Sequence, residues 1–148
     1  MKIKEANREH IEIIAKNNIL MAKETENKAL DYDKVIKGVE AVFENPDKGK
    51  YYICLEENKV IGQLMITYEW SDWRNCFFYW IQSVYTVPEK RGKGVFKALF
   101  EHVLKLVKQK KGCGLRLYVE KDNKIAQRVY ENLGMNETGY LLYEMEIK

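Results

Sequence analysis

Hydrophobic and polar positions follow two different periods along this chain, and the two periods predict its helices and strands. Apolar residues recur at helical spacing after the N-cap candidates Asn7 and Asp31, and again over 94–110 and 123–133, which predicts four helices. Runs rich in β-branched and aromatic residues mark the strands. The predicted strands cover 2–5, 51–56, 60–69, 77–87, 115–120 and 140–147.

The order of these elements, β-α-α-β-β-β-α-β-α-β, predicts a mixed α/β fold. A turn of three residues joins 51–56 to 60–69 as a hairpin, whereas the helix 94–110 connects two strands as a crossover. The sheet is therefore expected to be partly antiparallel. The chain has 148 residues and no repeat or linker, which predicts one domain over 1–148.

Composition narrows the class of protein. Hydrophobic residues make up 46% of the chain and charged residues 32%, which suits a water-exposed domain with a sizeable core. No apolar run approaches the roughly 20 residues that cross a bilayer, and the N-terminus lacks the apolar stretch of a signal peptide. We therefore expect a cytoplasmic protein with no membrane partner. A net charge of +3 is too small to indicate nucleic-acid binding by itself.

The three cysteines are Cys54, Cys76 and Cys113. An odd, scattered set is a poor disulfide framework, so we expect reduced thiols in or near the core. No CxxC motif or cluster of histidine and cysteine indicates zinc, and no metal is expected.

The most informative segment lies where the strand 77–87 gives way to a helix. Pro88 ends the strand, Gly92 and Gly94 follow, and the helix then begins. A helix start offers free N–H groups and the positive end of the dipole, and glycine lets a phosphate approach closely. Four basic side chains surround this place: Lys90, Arg91, Lys93 and Lys97. The pattern favours a pyrophosphate-bearing ligand, with an exposed glycine turn among solvated charges as the alternative.

Two well-known phosphate loops do not fit this segment. The P-loop motif GxxxxGK[ST] is absent, and the dinucleotide fingerprint lacks its third glycine. Arg91-x-x-Gly94-x-Phe96 instead resembles motif A of the GNAT N-acetyltransferase superfamily, R-x-x-G-x-[GA]. Phe96 departs from the family, which usually has a small residue there. We expect its side chain to turn away from the ligand toward the apolar helix face.

A second motif follows about 30 residues later, with a strand between the two. Asn123-x-x-Ala126-x-x-x-Tyr130-x-x-x-Gly134-Met135 resembles motif B of the same superfamily, with methionine in place of the usual phenylalanine. The two motifs in this order are more specific than either alone. The resemblance covers roughly half of the chain, 77–143.

The resemblance implies a GNAT-like sheet with helices on both faces and splayed central strands. The strand 77–87 would diverge from 115–120, and the pantetheine arm of acetyl-CoA would lie in the gap. Asn123 would hydrogen-bond this arm, with capping of its own helix as the alternative role. The other residues implied in holding acetyl-CoA are Val84, Tyr85, Thr86 and Val87 along the arm, and Arg91, Gly92, Lys93, Gly94, Val95, Phe96 and Lys97 around the pyrophosphate.

The resemblance also implies the reaction: direct transfer of the acetyl group of acetyl-CoA to an amine in a ternary complex. Tyr130 would pass a proton to the leaving thiolate, with an ordinary core tyrosine as the alternative. Glu69 is the candidate general base, with a solvated loop carboxylate as the alternative. A backbone N–H within 84–87 would meet the tetrahedral oxyanion.

The acceptor amine, from a small molecule or a protein, stays open. Six residues are candidates to bind it: Glu24, Glu26, Trp70, Trp73, Trp80 and Gln82. Trp70 and Trp73 lie three apart in a polar stretch and serve either as lid residues or as core anchors.

The sequence leaves two other functions open. A non-catalytic acyl-CoA sensor on the same scaffold is kept open by Phe96. A nucleic-acid-binding module would use the basic residues of 90–97 and 105–111, although a solvated helix face explains the latter group more simply, so no nucleic acid is expected. The aromatic strand 140–147 could contribute an edge to a homodimer.

Overall fold

The computed structural model describes all 148 residues, which divide into two compact units, Met1–Leu117 and Tyr118–Lys148. The first unit contains β1 (Lys2–Glu5), α1 (Ile11–Glu26), α2 (Tyr32–Glu44), β2 (Lys50–Glu56), β3 (Lys59–Ser71), β4 (Cys76–Thr86), α3 (Val95–Gln109) and β5 (Gly114–Leu117). The second unit contains α4 (Lys124–Asn132). None of these helices has the length and apolar character needed to cross a membrane.

The five strands form one sheet in the order β1-β2-β3-β4-β5. The first four pair antiparallel with their neighbours, while β4 and β5 pair in parallel. The parallel pair follows from the crossover through α3, which returns the chain to the same end of the sheet. The structure thus confirms the predicted mixed α/β class and the partly antiparallel sheet.

Helices cover both faces of this sheet, as predicted. A Cβ added to Gly62 of β3 would collide with Val95 and lie 3.4 Å from Leu99, both in α3. The next residue, Gln63, is hydrogen-bonded to Asn17 of α1 at 3.0 Å. Successive side chains of a strand point to opposite faces, so α3 and α1 lie on opposite sides of β3.

Each face has its own buried apolar cluster. On one face, the side chains removed from water come from α1, α2 and β2, and they include Ile14, Val39 and Ile53. On the other face, α3 buries the stripe that its helical spacing predicted: Leu99, Phe100, Val103 and Val107. Burial of an aliphatic or aromatic side chain of this size stabilises the fold by about 1.5–3 kcal/mol.

The expectation of three reduced thiols is wrong for two cysteines. Cys76 and Cys113 are joined by a disulfide, with their Cα atoms 5.6 Å apart, whereas Cys54 is a buried free thiol. Cys76 begins β4 and Cys113 directly precedes β5, so the parallel pairing brings them together. Their separation of 37 residues gave no local sign of this contact.

Two of the predicted strands differ from the structure. The predicted strand 115–120 corresponds to the shorter β5, Gly114–Leu117, and the predicted strand 140–147 is not formed. Alternating side chains indicate which conformation a segment favours. A strand also requires a backbone partner, and no local pattern supplies one.

The close approach of α3 to β3 predicts an effect on stability. Gly62→Ala is expected to lower the free energy of unfolding by about 1–3 kcal/mol, because the added methyl must displace Val95. The matched control is Gly38→Ala in α2, where a Cβ meets nothing within 4 Å. Alanine there should raise the free energy of unfolding by about 0.5–1 kcal/mol. Urea denaturation measures both, and equal effects would contradict the packing described for Gly62.

Candidate functional site

The connection between β4 and α3 is an open turn at the N-terminus of a helix. Gly92 and Gly94 have φ angles of 74° and 84°, a region that glycine adopts without strain. A Cβ on either residue would meet no atom within 4 Å, so the space around both is open. The N–H of Ala98 donates to the carbonyl of Gly94 at 3.0 Å. The N–H groups of residues 95–97 precede this bond, at the positive end of the helix dipole. A phosphate group fits this turn in both shape and charge.

The side chain of Arg91 fixes the beginning of this turn. Its Nε donates to the backbone carbonyl of Thr86 at 2.9 Å, and its Nη2 donates to Oε2 of Glu24 at 2.7 Å. The guanidinium also lies over the ring of Tyr85, 5.4 Å from its centroid. Arg91 therefore ties the turn to the end of β4 and to the last helical turns of α1.

The lysines around the turn differ in their partners. Lys90 forms an ion pair with Glu56 of β2. Lys93 and Lys97 are exposed, and the Nζ of Lys97 lies 4.0 Å from Oε1 of Glu101. Lys93 and Lys97 are therefore the basic side chains best placed to reach a ligand in the turn.

The large side chain of Phe96 lies along α3. It is half-buried, and its ring centroid is 6.1 Å from that of the buried Phe100. This position on the apolar helix face is the one that the sequence predicted for it.

β4 and β5 are paired over only part of their length. Phe78–Ile81 lies opposite Gly114–Leu117, and β4 then continues to Thr86 with β3 as its only neighbour. The register with β3 shifts between Gln63 and Met65, where Ser83 has a φ of 52°. Such a bulge bends its strand. β4 therefore extends past the end of β5, in the region where the sequence predicts a gap between these two strands.

Four residues, 84–87, are predicted to bind the pantetheine arm of acetyl-CoA through their backbone. Their backbone groups are not equally free to do so. The N–H of Val87 donates to the carbonyl of Ile61 at 3.0 Å, and the carbonyl of Thr86 accepts from Arg91. Val84 lies within the bulge and has no partner in the register with β3. Its backbone is therefore the best placed of the four to bind a ligand outside the sheet.

Side chains from β3, β4 and β5 meet on one face of the sheet around Glu69. Its Oε1 accepts hydrogen bonds from Nε1 of Trp80 at 2.8 Å and from Nη1 of Arg116 at 2.9 Å. The guanidinium of Arg116 lies 3.6 Å from the ring centroid of Phe78. The bond from Trp80, reinforced by Arg116, lowers the pKa of Glu69 below its usual range. Glu69 is therefore a carboxylate at neutral pH and a weak base.

Two more predicted acceptor-binding residues have defined partners. Nε2 of Gln82 donates to Oγ1 of Thr67 at 2.6 Å. Glu24 lies against Arg91 and accepts a bond of 3.4 Å from the hydroxyl of Tyr85, so it faces the open turn.

The other predicted acceptor-binding residues are exposed. Trp70 is 53% exposed and contacts Phe77 edge-on, with ring centroids 4.9 Å apart. Trp73 is 88% exposed, so neither tryptophan is a core anchor. Glu26 lies near the end of α1, where it pairs with Lys28 at 3.7 Å.

Comparison with known families identifies the family of this chain. A model described as the acetyltransferase (GNAT) family matches residues 17–135. This range contains the turn at Gly92 and Gly94 and also the second motif.

The chain belongs to the GNAT acetyltransferase family.

Solved structures agree with this assignment. A possible acetyltransferase from Clostridium difficile 630 is 47% identical, covers 99% of this chain and 97% of its own, and has a TM-score of 0.93. A predicted acetyltransferase from Clostridium acetobutylicum, solved with acetyl-CoA, is 16% identical over 97% of this chain and 95% of its own, with a TM-score of 0.80. AAC(6')-Iy, in complex with the bisubstrate analogue CoA-S-monomethyl-acetylneamine, is 19% identical over 99% and 98%, with a TM-score of 0.78. The last two show the shared fold alone. A search of curated proteins finds no match.

The segment that resembles the second GNAT motif lies in the unit Tyr118–Lys148. Asn123 caps α4, since its Oδ1 accepts from the N–H of Ala126 at 3.1 Å. Gly134, with a φ of 96°, follows the end of the helix. Tyr130 is half-buried, and this burial raises its pKa. The phenol of Tyr130 therefore keeps its proton at neutral pH.

Sequence reasoning missed Gln63, which is fully buried in β3 of this GNAT fold. Its Oε1 accepts from Nδ2 of Asn17 at 3.0 Å. Its Nε2 donates to Oδ1 of Asn18 at 2.9 Å and to the carbonyl of Ser83 at 3.2 Å. Gln63 therefore anchors the bulge of β4 to α1. The one sign in the sequence is a polar residue inside the apolar run 60–66.

Loss of these hydrogen bonds is expected to affect both stability and ligand binding. Gln63→Leu keeps a similar side-chain volume but leaves Asn17 and the Ser83 carbonyl without a hydrogen-bond partner. The free energy of unfolding should therefore fall by about 1–3 kcal/mol. Because the bulge then loses its anchor, the Kd for acetyl-CoA should rise about tenfold, equivalent to about 1.4 kcal/mol.

The control is Ile53→Val in the fully buried core of β2, with an expected loss of about 0.5–1.5 kcal/mol in stability. Denaturation and calorimetric titration are measured on both variants. If the two variants bind acetyl-CoA equally well, Gln63 has a role in stability alone.

Proposed function

We propose that this GNAT protein is an acetyl-CoA-dependent N-acetyltransferase that moves the acetyl group directly to an amine while both substrates are bound. The observation that carries the proposal is the open turn at Gly92 and Gly94, which connects the part of β4 beyond β5 to the N-terminus of α3. The family match runs from residue 17 to residue 135 and includes parts of both units, which supports a single acetyltransferase domain over residues 1–148. The cytoplasm is the proposed compartment.

The donor is held mainly by backbone groups. The N–H groups of residues 92–97 bind the pyrophosphate, and the exposed side chains of Lys93 and Lys97 add positive charge. Phe96 contributes its backbone only, because its ring packs near Phe100. Along the pantetheine arm, Val84 and Tyr85 offer backbone groups. Asn123 binds the arm while it caps α4.

The acceptor must reach the thioester as a neutral amine. An alkylamine with a pKa of about 10.4 gives up its proton at pH 7 at a cost of roughly 4–5 kcal/mol. Glu69 accepts this proton, directly or through water. Both of its hydrogen bonds use Oε1, so Oε2 is the oxygen that faces the amine. Because the low pKa makes Glu69 a weak base, its larger contribution is to orient the amine.

The other candidate residues for the acceptor lie in two separate places. Trp70, Trp73, Trp80 and Gln82 belong to β3, β4 and the turn between them, as does Glu69, whereas Glu24 and Glu26 lie near the end of α1, where Glu24 pairs with Arg91. The three tryptophans favour a cationic acceptor, because a cation is attracted to aromatic faces.

Tyr130 provides the proton for the leaving thiolate. A thiol has a pKa of about 8.5 and a tyrosine about 10, so full transfer from the phenol is uphill. Burial raises the pKa of Tyr130 further, which keeps the phenol protonated across neutral pH. Tyr130 therefore acts first as a hydrogen-bond donor and passes its proton late.

Binding of the donor is the first test of this proposal. Calorimetric titration with acetyl-CoA should give a micromolar Kd, with competition from adenosine 3′,5′-bisphosphate. The double variant Lys93→Ala/Lys97→Ala should raise the Kd about tenfold through loss of two charge-assisted contacts. Lys105→Ala/Lys108→Ala, which removes the same charge from later turns of α3, should leave it unchanged.

If both double variants bind acetyl-CoA equally weakly, the ligand is attracted by overall charge and not by a specific site at the turn. No binding of acetyl-CoA would overturn the proposed function. Tight binding without thiol release from any amine would support the non-catalytic acyl-CoA sensor instead.

The role of Tyr130 gives a kinetic prediction. Tyr130→Phe should lower kcat by about 10²–10⁴-fold, because the thiolate then leaves without a proton donor. The Kd for acetyl-CoA should change by less than about threefold, since the ring is retained. Thiol release under single-turnover conditions measures the chemical step. An unchanged rate in that regime would refute the assignment.

A further inference from the structure

Two arginine side chains lie beside the ring of Phe78 in β4. The guanidinium carbon of Arg116 is 3.6 Å from the ring centroid, and that of Arg74 is 5.1 Å from it. Arg116 belongs to β5, whereas Arg74 lies in the turn between β3 and β4. Two positive charges from separate segments therefore meet at one aromatic ring, and all three residues belong to the unit Met1–Leu117.

The positive charge at this ring is only partly compensated. Glu69 forms an ion pair with Arg116, at 2.9 Å. Arg74 donates to Oγ of Ser71 at 3.4 Å and has no carboxylate partner. Two guanidinium groups and one carboxylate leave one positive charge in excess at neutral pH. An anionic group of a ligand would remove this excess.

The guanidinium of Arg116 has the geometry that a carboxylate requires. Its Nη1 donates to Glu69, while its Nη2 and Nε have no partner within the chain. The N–H donors of a guanidinium form a planar fork, which binds a carboxylate through two parallel hydrogen bonds. The side chain of Arg116 is 25% exposed and stacks on Phe78, so its orientation is restricted while its donors remain accessible.

We propose that Arg116 and Arg74 bind a carboxylate of the acceptor, so that the substrates are amino acids or derivatives with a free carboxylate beside the amine. This inference rests on the proposed function, in which Oε2 of Glu69 faces the amine. Because Nη1 of Arg116 lies 2.9 Å from Oε1 of Glu69, groups bound by these two side chains are neighbours. An α-amino acid carries its amine and its carboxylate on one carbon, which matches this short separation.

The same charges disfavour an amine that has no anionic group. A polyamine or an amino sugar approaches as a cation and would meet two guanidinium groups against one carboxylate. An amino acid instead places its ammonium at Glu69 and its carboxylate at the arginines. The hydrogen bonds from Trp80 and Arg116 lower the pKa of Glu69, so the group that faces the ammonium is charged at neutral pH. Arg74 and Arg116 are therefore assigned as specificity-determining residues.

Matched pairs of acceptors test this assignment. Thiol release from acetyl-CoA is measured with the common L-amino acids and with the amines that remain when the carboxylate is removed, such as L-phenylalanine with phenethylamine and L-tryptophan with tryptamine. The preferred amino acid should have a kcat/KM at least about 100-fold above that of its amine, because the amine leaves the arginines without a partner. Equal use of both members of every pair would overturn this inference and support the proposed function.

Substitutions of the two arginines separate a specificity role from a structural one. Arg74→Gln should raise the KM for the preferred amino acid about tenfold and change that of the matched amine less than about threefold. Arg116→Gln should reduce the ratio of the two kcat/KM values about 10–100-fold, although it also removes a partner of Glu69 and slows both substrates. Equal losses for both members of a pair would show a structural role and refute the assignment.

The control variant is Arg8→Gln. Arg8 is exposed and follows β1, which lies at the opposite edge of the sheet from β5. Its loss removes the same charge and should leave both kinetic constants unchanged for both acceptors. If Arg8→Gln lowers the preference for the amino acid as much as Arg74→Gln does, overall charge and not a carboxylate site determines the preference.

A binding measurement distinguishes failure of this inference from failure of the proposed function. Each amino acid is titrated by calorimetry into the full chain saturated with coenzyme A, and into the Arg74→Gln variant. Binding that weakens about tenfold in the variant, without thiol release, would support the carboxylate site and overturn the acetyltransferase activity. The absence of binding by any amino acid would overturn the carboxylate site, whatever the protein does with other amines.

Discussion

The arrangement of the site depends on the buried amide of Gln63. A polar side chain without access to water must find hydrogen-bond partners, and these are Asn17 and Asn18 of α1 and the carbonyl of Ser83. The same bonds hold α1 against β3 and fix the bulge of β4. Because of the bulge, Val84 lies outside the register with β3, where its backbone can serve a ligand. Gln63 thus links the packing of α1 to the shape of the bulge in β4.

Close backbone packing has the corresponding role on the opposite face. Gly62 has no side chain, so Val95 packs directly against β3 and the first turn of α3 lies next to the sheet. Arg91 then ties the open turn to Thr86 and to Glu24. The positive end of α3 is therefore fixed relative to the end of β4 before a ligand binds. A preorganised site of this kind loses less conformational entropy on binding.

The two groups proposed for proton transfer have opposite pKa shifts with different physical causes. Hydrogen bonds from Trp80 and Arg116 stabilise the charged form of Glu69 and lower its pKa. Burial disfavours the charged form of Tyr130 and raises its pKa. At neutral pH the carboxylate is therefore charged and the phenol is protonated. These are the protonation states that an acceptor-orienting group and a proton donor require.

The sequence alone determined the features that are local. Helical and strand periods gave the elements and the mixed sheet, and the glycines between Pro88 and α3 gave the open turn, because backbone conformation depends on neighbouring residues. Only the tertiary structure decided which distant groups meet. In the structure Cys76 pairs with Cys113 across 37 residues, and Arg91 pairs with Glu24 across 67. The N–H of Val87 donates to the carbonyl of Ile61 in the sheet. The segment 140–147 has no strand partner. Side-chain patterns determine the conformation of a segment and which side chains share a face, whereas strand pairing depends on the whole chain.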